Sequence, residues 1–224
     1  MSKPVIDHDA LISMFENATA RQAAQLRKAV SDATLAALQG RELSLKNIRQ
    51  VLSGVGGAVS AGAAKNTAAN IDVEALLGKA AAGMDDALLK AVEANQVALQ
   101  RFVAQGSDLR EKHLKKALGD LEKFEDTLFD AVKKSAGGAG AQLAGPWEQV
   151  LEKMQAGGTL SGAKASAAAE QLAAQMQAAV RDSRSAGLRA AQALADSYAA
   201  MVSGVLIGMS DALQQQGKAK TAKS

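Results

Sequence analysis

The side chains that could do chemistry in this chain are mainly its carboxylates, and their spacing argues against catalysis. Two pairs of adjacent acids stand out, Asp85–Asp86 and Glu125–Asp126. Adjacent residues on a helix point about 100° apart, so the members of each pair do not converge on one substrate atom. The chain has only two histidines and no cysteine. We therefore expect no catalytic residue, no cofactor and no metal site, and we interpret the protein as non-enzymatic.

The elements that carry these side chains are predicted to be helices. Alanine and leucine, both strong helix formers, dominate the sequence, whereas the β-branched and aromatic residues typical of strands are scarce. Aromatic residues make up only 3% of the chain, which argues against nucleic-acid binding by base stacking. The composition thus predicts the all-α class.

The charge of the chain is concentrated at its C-terminus. The net charge is +3, and the segment 218–224 carries three lysines without an acid. Without those lysines the 26 basic residues fall to 23, which equals the number of acidic residues. We expect 218–224 to be a disordered basic tail on a neutral body, with no specific nucleic-acid partner.

Four helices are predicted in the first part of the chain, over about 7–39, 44–65, 72–105 and from 108 onward. Each begins at an Asp or Ser that can cap it, and glycine follows the first and third. We group them as an N-terminal helical bundle over 1–136.

The second part of the chain is predicted to follow a break. The Gly-rich stretch 137–146 is expected to be a linker, with Pro146 as the first residue of the next helix. The segment 147–217 is expected to hold that short helix and one of about 50 residues starting near Gly162, near 75–80 Å long. The predicted fold is an elongated antiparallel, coiled-coil-like helical bundle with a long C-terminal helix.

The long C-terminal helix carries apolar residues at an eleven-residue repeat. Eleven residues span three turns, so such residues keep to one face of a nearly straight helix. We interpret this face either as part of the ordinary core or as a seam that binds a second copy of the chain or an external apolar surface. The predicted seam consists of Leu172, Met176, Leu194, Tyr198, Met201, Val205 and Met209.

Two further features predict contacts. Gly54, Ala58 and Gly62 are spaced by four, so one helix face lacks large side chains and another helix can approach it closely. Trp147 is the only tryptophan. It is expected either to dock its segment onto the bundle or to anchor the protein on an apolar surface.

Long Ala-rich, Cys-free helices, a linker and the Lys/Ala tail GKAKTAKS together resemble phasins, the bacterial proteins that coat polyhydroxyalkanoate storage granules. The resemblance covers the whole chain in composition and helix layout, most clearly over 147–216. It implies granule coating through amphipathic helices, and it assigns no functional residue. The alternatives are a self-assembling helical scaffold, as a homo-oligomer, and an adaptor that docks a protein partner.

The sequence also predicts where the protein resides. Its N-terminus lacks an apolar export segment. The longest apolar run, 199–209, has about 11 residues, whereas a membrane-spanning helix needs about 20. We expect a cytoplasmic protein without a transmembrane segment.

Overall fold

The computed structural model describes residues 6–19, 22–39, 44–68, 71–104, 111–182 and 201, and within them it is all-helical. The predicted all-α class is confirmed, and the helices pack against one another. None of the described helices is both long and apolar enough to cross a membrane. The helices are α1 His8–Glu16, α2 Ala23–Leu38, α3 Leu45–Lys65, α4 Val73–Ala104, α5 Glu111–Glu122, α6 Phe124–Gly138, α7 Ala141–Gly157 and α8 Leu160–Asp182.

Three of these helices begin at a side-chain cap that the sequence predicts. Asp7 caps α1 and Asp72 caps α4, each accepting a hydrogen bond of 2.9 Å from the amide three residues on. Ser44 does the same for α3 at 3.3 Å. Each cap satisfies an amide that the first helical turn leaves without an intrahelical partner.

The single first helix predicted over 7–39 is wrong, because the chain breaks between α1 and α2. The side-chain amide of Asn66 donates to the carbonyl oxygens of Phe15 and Ala18, at 2.9 and 3.1 Å. These bonds join the end of α3 to the last turn of α1 and to the residues that follow it. The break lets α1 pack on α3 while α2 packs on α4.

The predicted fourth helix is also divided. It breaks at Lys123 into α5 and α6, and the Thr127 hydroxyl donates to the Lys123 carbonyl at 2.8 Å within the first turn of α6. No proline or glycine marks this position in the sequence. The direction of the chain here depends on packing rather than on a local breaker.

The stretch 137–146 is predicted to be a linker, but most of it is helical in the structure. Helix α6 runs to Gly138 and α7 begins at Ala141, so only two residues separate them. Pro146 accordingly lies inside α7 rather than at its first position. The segment is helical because it buries Leu143 and Trp147, which offsets the helix-breaking tendency of its glycines.

One hydrophobic core joins the helices on both sides of residue 136, so the described part of the segment 147–217 packs on helices of the segment 1–136. Helix α4 is central and contacts α2, α3, α6, α7 and α8. We call the fully buried large side chains of α1, α3, α4 and α6 the central core. It comprises Phe15, Ile48, Leu52, Leu77, Met84, Leu88, Phe124 and Leu128.

The last described helix, α8, begins at Leu160, two residues before the predicted start. It is described as far as Asp182. The rest of the predicted long helix, apart from Met201, and the predicted basic tail 218–224 lie outside the described residues.

Candidate functional site

Helix α8 is attached to the bundle by a face made almost entirely of alanine. It packs mainly on α4, with further contacts to α5 and α6. Its buried residues recur at spacings of three and four, which places them on one face of the helix. This face, which we call the α8 seam, consists of Ala165, Ala168, Ala169 and Leu172, all at most 7% exposed.

The opposite face of α8 is exposed and polar or small, and it includes Ala167, Glu170 and Ala174. At the edge of the α8 seam the amide nitrogen of Gln96 on α4 donates to the Gln171 side-chain oxygen at 2.8 Å. This hydrogen bond connects the side of α8 to α4. Alanine allows the close approach of the two helices that places these glutamines in contact.

The N-terminus of α8 is held by two carboxylates from different helices. Asp85 on α4 accepts hydrogen bonds from the amides of Leu160 and Ser161, at 2.8 and 3.0 Å. Glu125 on α6 accepts from the Thr159 amide at 3.0 Å and from its hydroxyl at 2.7 Å. We call this arrangement of Asp85 and Glu125 around 159–162 the carboxylate cradle.

The carboxylate cradle combines charge with close fit. The Thr159 hydroxyl accepts from the Gly162 amide at 2.9 Å, so amides of the first turn find partners. A Cβ at Gly162 would overlap the carboxyl group of Glu125, so a larger residue there would displace that side chain from its present position. Negative charge beside a helix N-terminus is favourable, and Asp85 is only 7% exposed, which limits screening by solvent.

A two-residue connection, Gly158 and Thr159, joins α7 to α8. Gly157 ends α7, and Gly158 has φ 70° and ψ 176°, a backbone conformation that is nearly restricted to glycine. Nothing lies within 4 Å of a Cβ built at either glycine. The need for glycine at position 158 is therefore conformational, not steric.

The acidic pairs singled out in the sequence bond to different partners. Asp86, beside Asp85, faces α2 and accepts two hydrogen bonds of 2.6 Å from the Arg27 guanidinium. These bonds raise the pKa of Arg27 above its ordinary value. Among the described residues no group of three or more His, Asp or Glu side chains could hold a metal ion.

The described part of the predicted C-terminal seam lies on the intramolecular core. Leu172 is fully buried, and Met201 is partly buried against the core. Met176 lies in α8, and its side chain is outside the described residues, as are the other four members, Leu194, Tyr198, Val205 and Met209. Leu172 and Met201 therefore contribute to packing within the chain.

The Gly54, Ala58 and Gly62 face of α3 is crossed by α1. A Cβ at Gly54 would lie 3.1 Å from Ile6 Cδ1, and one at Gly62 would lie 2.7 Å from Phe15 Cβ. Ala58, between them, is 3% exposed. This face positions α1 and is not available to a partner in this structure.

Trp147 lies inside the bundle and is not exposed as a surface anchor in this structure. Its side chain is fully buried, and its indole N–H donates to the Ser60 hydroxyl at 3.0 Å. Ser60 in turn donates to the carbonyl of Gly56 at 2.8 Å. Trp147 instead docks α7 onto α3, which is the other role considered for it.

A shallow cavity of about 320 Å³ lies between α3 and α6. Its lining is small and partly polar, with Ser53, Ser60 and Ser135 below Lys134. The Ser60 and Ser135 hydroxyls already donate to backbone carbonyls. The cavity thus offers few convergent groups for a ligand.

The fold and this site define an all-helical protein whose last described helix is held by an alanine seam and a carboxylate cradle. The chain belongs to DUF6781, a family of unknown function whose model matches residues 1–215. No curated protein and no solved structure matches it.

Proposed function

We propose that this protein is a non-enzymatic, phasin-like protein that coats an apolar storage granule in the cytoplasm, using α8 and the residues after it as the surface-binding helix of an elongated, coiled-coil-like bundle. The observation that supports this most is the composition of the α8 seam. Three of its four residues are alanines, so α8 is held to α4 by small apolar contacts along its length.

The free energies involved make transfer of α8 to another surface feasible. Burying an alanine methyl contributes about 0.8 kcal/mol, and burying a leucine about 1.5–3 kcal/mol. The four seam residues together contribute about 4–5 kcal/mol on this scale. An external apolar surface that accepts the same face returns most of that free energy, because burial is not directional.

The exposed surface of the described bundle does not itself provide an apolar patch. Among the described residues, Met14 at 38% and Leu160 at 55% are the exposed large hydrophobic side chains. They belong to different helices, α1 and α8. A granule-binding face therefore has to come from residues covered in the free protein or from the predicted seam beyond Asp182.

The first experiment tests the C-terminal seam by flotation with polyhydroxybutyrate particles. We expect the double variant Leu194→Glu/Val205→Glu to lose binding, because it places two charges on the apolar face. The matched control Gln192→Glu/Ser203→Glu adds the same charge about 200° around the helix predicted from the sequence and should bind like the wild type. Equal binding by both variants, with helix content unchanged by circular dichroism, would overturn the proposal.

The second experiment tests release of α8. Because the chain has no cysteine, Gln96→Cys and Gln171→Cys would be its only thiols, at positions whose native side chains touch. A short reducible bismaleimide should link them and hold the α8 seam closed. We expect the linked protein to lose particle binding and to regain it on reduction. Full binding by the linked protein would show that α8 stays on the bundle during coating.

A further inference from the structure

We propose that the chain after α8 turns back on itself, and that the segment 201–217 docks on the bundle between α4 and α5. The docking covers part of the predicted C-terminal seam inside the free protein. It needs no granule, so it goes beyond the coating function and stands without it. Three observations carry the proposal: the register of α8 on α4, the burial of Met201 and the exposed outer face of α8.

Helix α8 runs parallel to α4 and reaches past its end. Asp85 on α4 accepts a hydrogen bond from Leu160, which lies 75 positions on in the chain. Gln96, about three turns farther along α4, bonds to Gln171, again 75 positions on. Two contacts with the same offset mean that the helices lie side by side in the same direction. At this offset Ala104, the last residue of α4, is level with position 179 of α8.

Met201 shows that the chain does not continue straight from α8. It is helical, and it is partly buried against the hydrophobic core. Among the described residues, the core side chains of α4 and α8 nearest this end of the bundle are Leu99 and Leu172. A straight helix would carry Met201 about 43 Å farther along than Leu172, well beyond the end of α4. The chain therefore reverses its direction between Asp182 and Met201.

The length of chain between these two residues is sufficient for the return. It comprises 18 residues, with one glycine, Gly187, and no proline. A turn of about four residues leaves about 14, which span about 21 Å as a helix. The distance from Asp182 back to the level of Leu172 is about 15 Å. A helix that follows the turn therefore brings Met201 back to the core.

The docking site follows from which sides of α8 are free. The outer face of α8 is exposed at Ala167, Glu170 and Ala174, so the returning segment does not lie over it. On its inner side α8 contacts both α4 and α5, whereas α5 has no comparable contact with α4 among the described residues. Helices at diagonal corners of a four-helix bundle are related in this way. The corner opposite α8, between α4 and α5, is where a returning helix meets the core.

Docking at this corner covers apolar residues that the sequence predicts as a surface seam. Leu194, Tyr198 and Val205 lie seven, three and four positions from Met201. Residues at these spacings share one face of a helix, so a face that turns Met201 to the core turns the other three inward as well. The free protein thus keeps this face against its own bundle, and an outside surface has to displace it.

The first test measures the return directly, as the distance between two nitroxide labels in pulsed electron spin resonance. The chain has no cysteine, so Glu170→Cys on α8 and Ser203→Cys carry the only labels. The returned segment places the labels less than about 35 Å apart, whereas a straight helix places them about 50 Å apart. Excess unlabelled protein removes distances between copies. A distance near that of the straight helix would overturn the proposal.

A second pair of labels, at Lys116→Cys and Ser203→Cys, tests the docking site. Lys116 is exposed on α5, and helices at neighbouring corners lie about 8–10 Å apart. We expect these labels to be less than about 30 Å apart. A longer distance here, together with the short distance from Glu170, would show that the segment returns but docks elsewhere, which contradicts the assigned site.

The third measurement tests whether Met201 holds the segment in place. Met201→Glu puts a charge against the core, so the label pair at Glu170 and Ser203 should lose most of its short-distance population. The control Gln192→Glu adds the same charge nine positions away, half a turn off the Met201 face, and should keep that population. Circular dichroism should show the same helix content in both variants. If both variants keep the short distance, Met201 does not anchor the segment and the proposed docking is wrong.

Discussion

The central core and the α8 seam are equally buried, yet they are held in place in different ways. Leu52 and Leu88 in the central core are 0% exposed, and Ala165 and Ala168 in the α8 seam are 1% exposed. Large side chains supply more free energy per residue and interlock in shape, which fixes how two helices fit. Alanines supply little burial free energy and little interlocking shape, so an interface made of alanines leaves the helix free to slide or rotate.

Polar contacts provide the positional information that the α8 seam lacks. Asp85 and Glu125 fix the end of α8, and the bond from Gln96 to Gln171 fixes its side. Hydrogen bonds are directional, whereas apolar burial is not. A helix placed in this way can be positioned accurately and still be held weakly, as the proposed release of α8 to an apolar surface requires.

The largest expected difference between the central core and the α8 seam comes from replacing one buried leucine by alanine in each. Leu52→Ala and Leu172→Ala each remove a fully buried leucine, at a cost of about 2–5 kcal/mol. We expect Leu52→Ala to lower the global free energy of unfolding. Leu172→Ala should mainly open α8, so hydrogen exchange should accelerate in α8 while α3 and α4 stay protected. Equal acceleration of hydrogen exchange in α3, α4 and α8 would mean that α8 does not open independently of the other helices.

A glycine pair on α3 tests how tightly the central helices are fitted. A Cβ at Gly62 would collide with the α1 backbone at Ile12 and lie 2.7 Å from Phe15 Cβ, whereas one at Gly57 meets nothing within 4 Å. We expect Gly62→Ala to destabilise by about 1–3 kcal/mol. Gly57→Ala should stabilise by about 0.4–1 kcal/mol, since alanine favours the helix. Urea unfolding measures both, and a stabilising Gly62→Ala would show that α1 is loosely attached.

This pair also shows what the sequence can and cannot predict about the fold. Caps at Asp7, Ser44 and Asp72 follow from local rules, because each bonds to an amide only three residues away. Which glycine is crowded depends on where another helix crosses. The i, i+4 spacing points to Gly62, but nothing local distinguishes a crowded glycine from an open one such as Gly57.

The candidate site was harder to predict for the same reason. Asp85 lies on the apolar row of α4 between Ala81 and Leu88, and a carboxylate in a buried row requires a polar partner. That signal could have marked Asp85 as structural. The partner itself, the N-terminus of α8, lies some 75 residues away along the chain. Only the packing of α4, α6 and α8 brings it there.

Removing charge from the carboxylate cradle should have an intermediate effect. Glu125→Gln and Asp85→Asn replace charged acceptors at a helix N-terminus, and loss of such a cap costs about 1–2 kcal/mol. We expect both variants to speed hydrogen exchange in the first turn of α8. The control Glu122→Gln changes an exposed carboxylate on α5 and should have no effect. If Glu122→Gln behaves like Glu125→Gln, overall charge rather than the carboxylate cradle positions α8.

The smallest effect is expected for the exposed ion pair between α7 and α4. Lys153 pairs with Glu74, and this hydrogen bond raises the pKa of Lys153 above its ordinary value of 10.5. A raised pKa means that the stabilising contribution is full below about pH 10 and is lost as the pH rises through the folded-state value. The side chain is exposed, so the contribution is small and salt should weaken it.

The test at Lys153 compares the melting temperature of each variant with that of the wild type at the same pH, so that the titration of other groups cancels. We expect Lys153→Gln to melt slightly below the wild type at about pH 8, with the gap closing toward about pH 12. Lys133→Gln, an exposed lysine on α6, should show no gap at either pH. A gap for Lys153→Gln that persists unchanged at high pH would mean that its aliphatic stem, rather than its charge, supports α7. Helix α7 would then be held on α4 without a contribution from this charge, whereas the N-terminus of α8 is positioned by the carboxylates of Asp85 and Glu125.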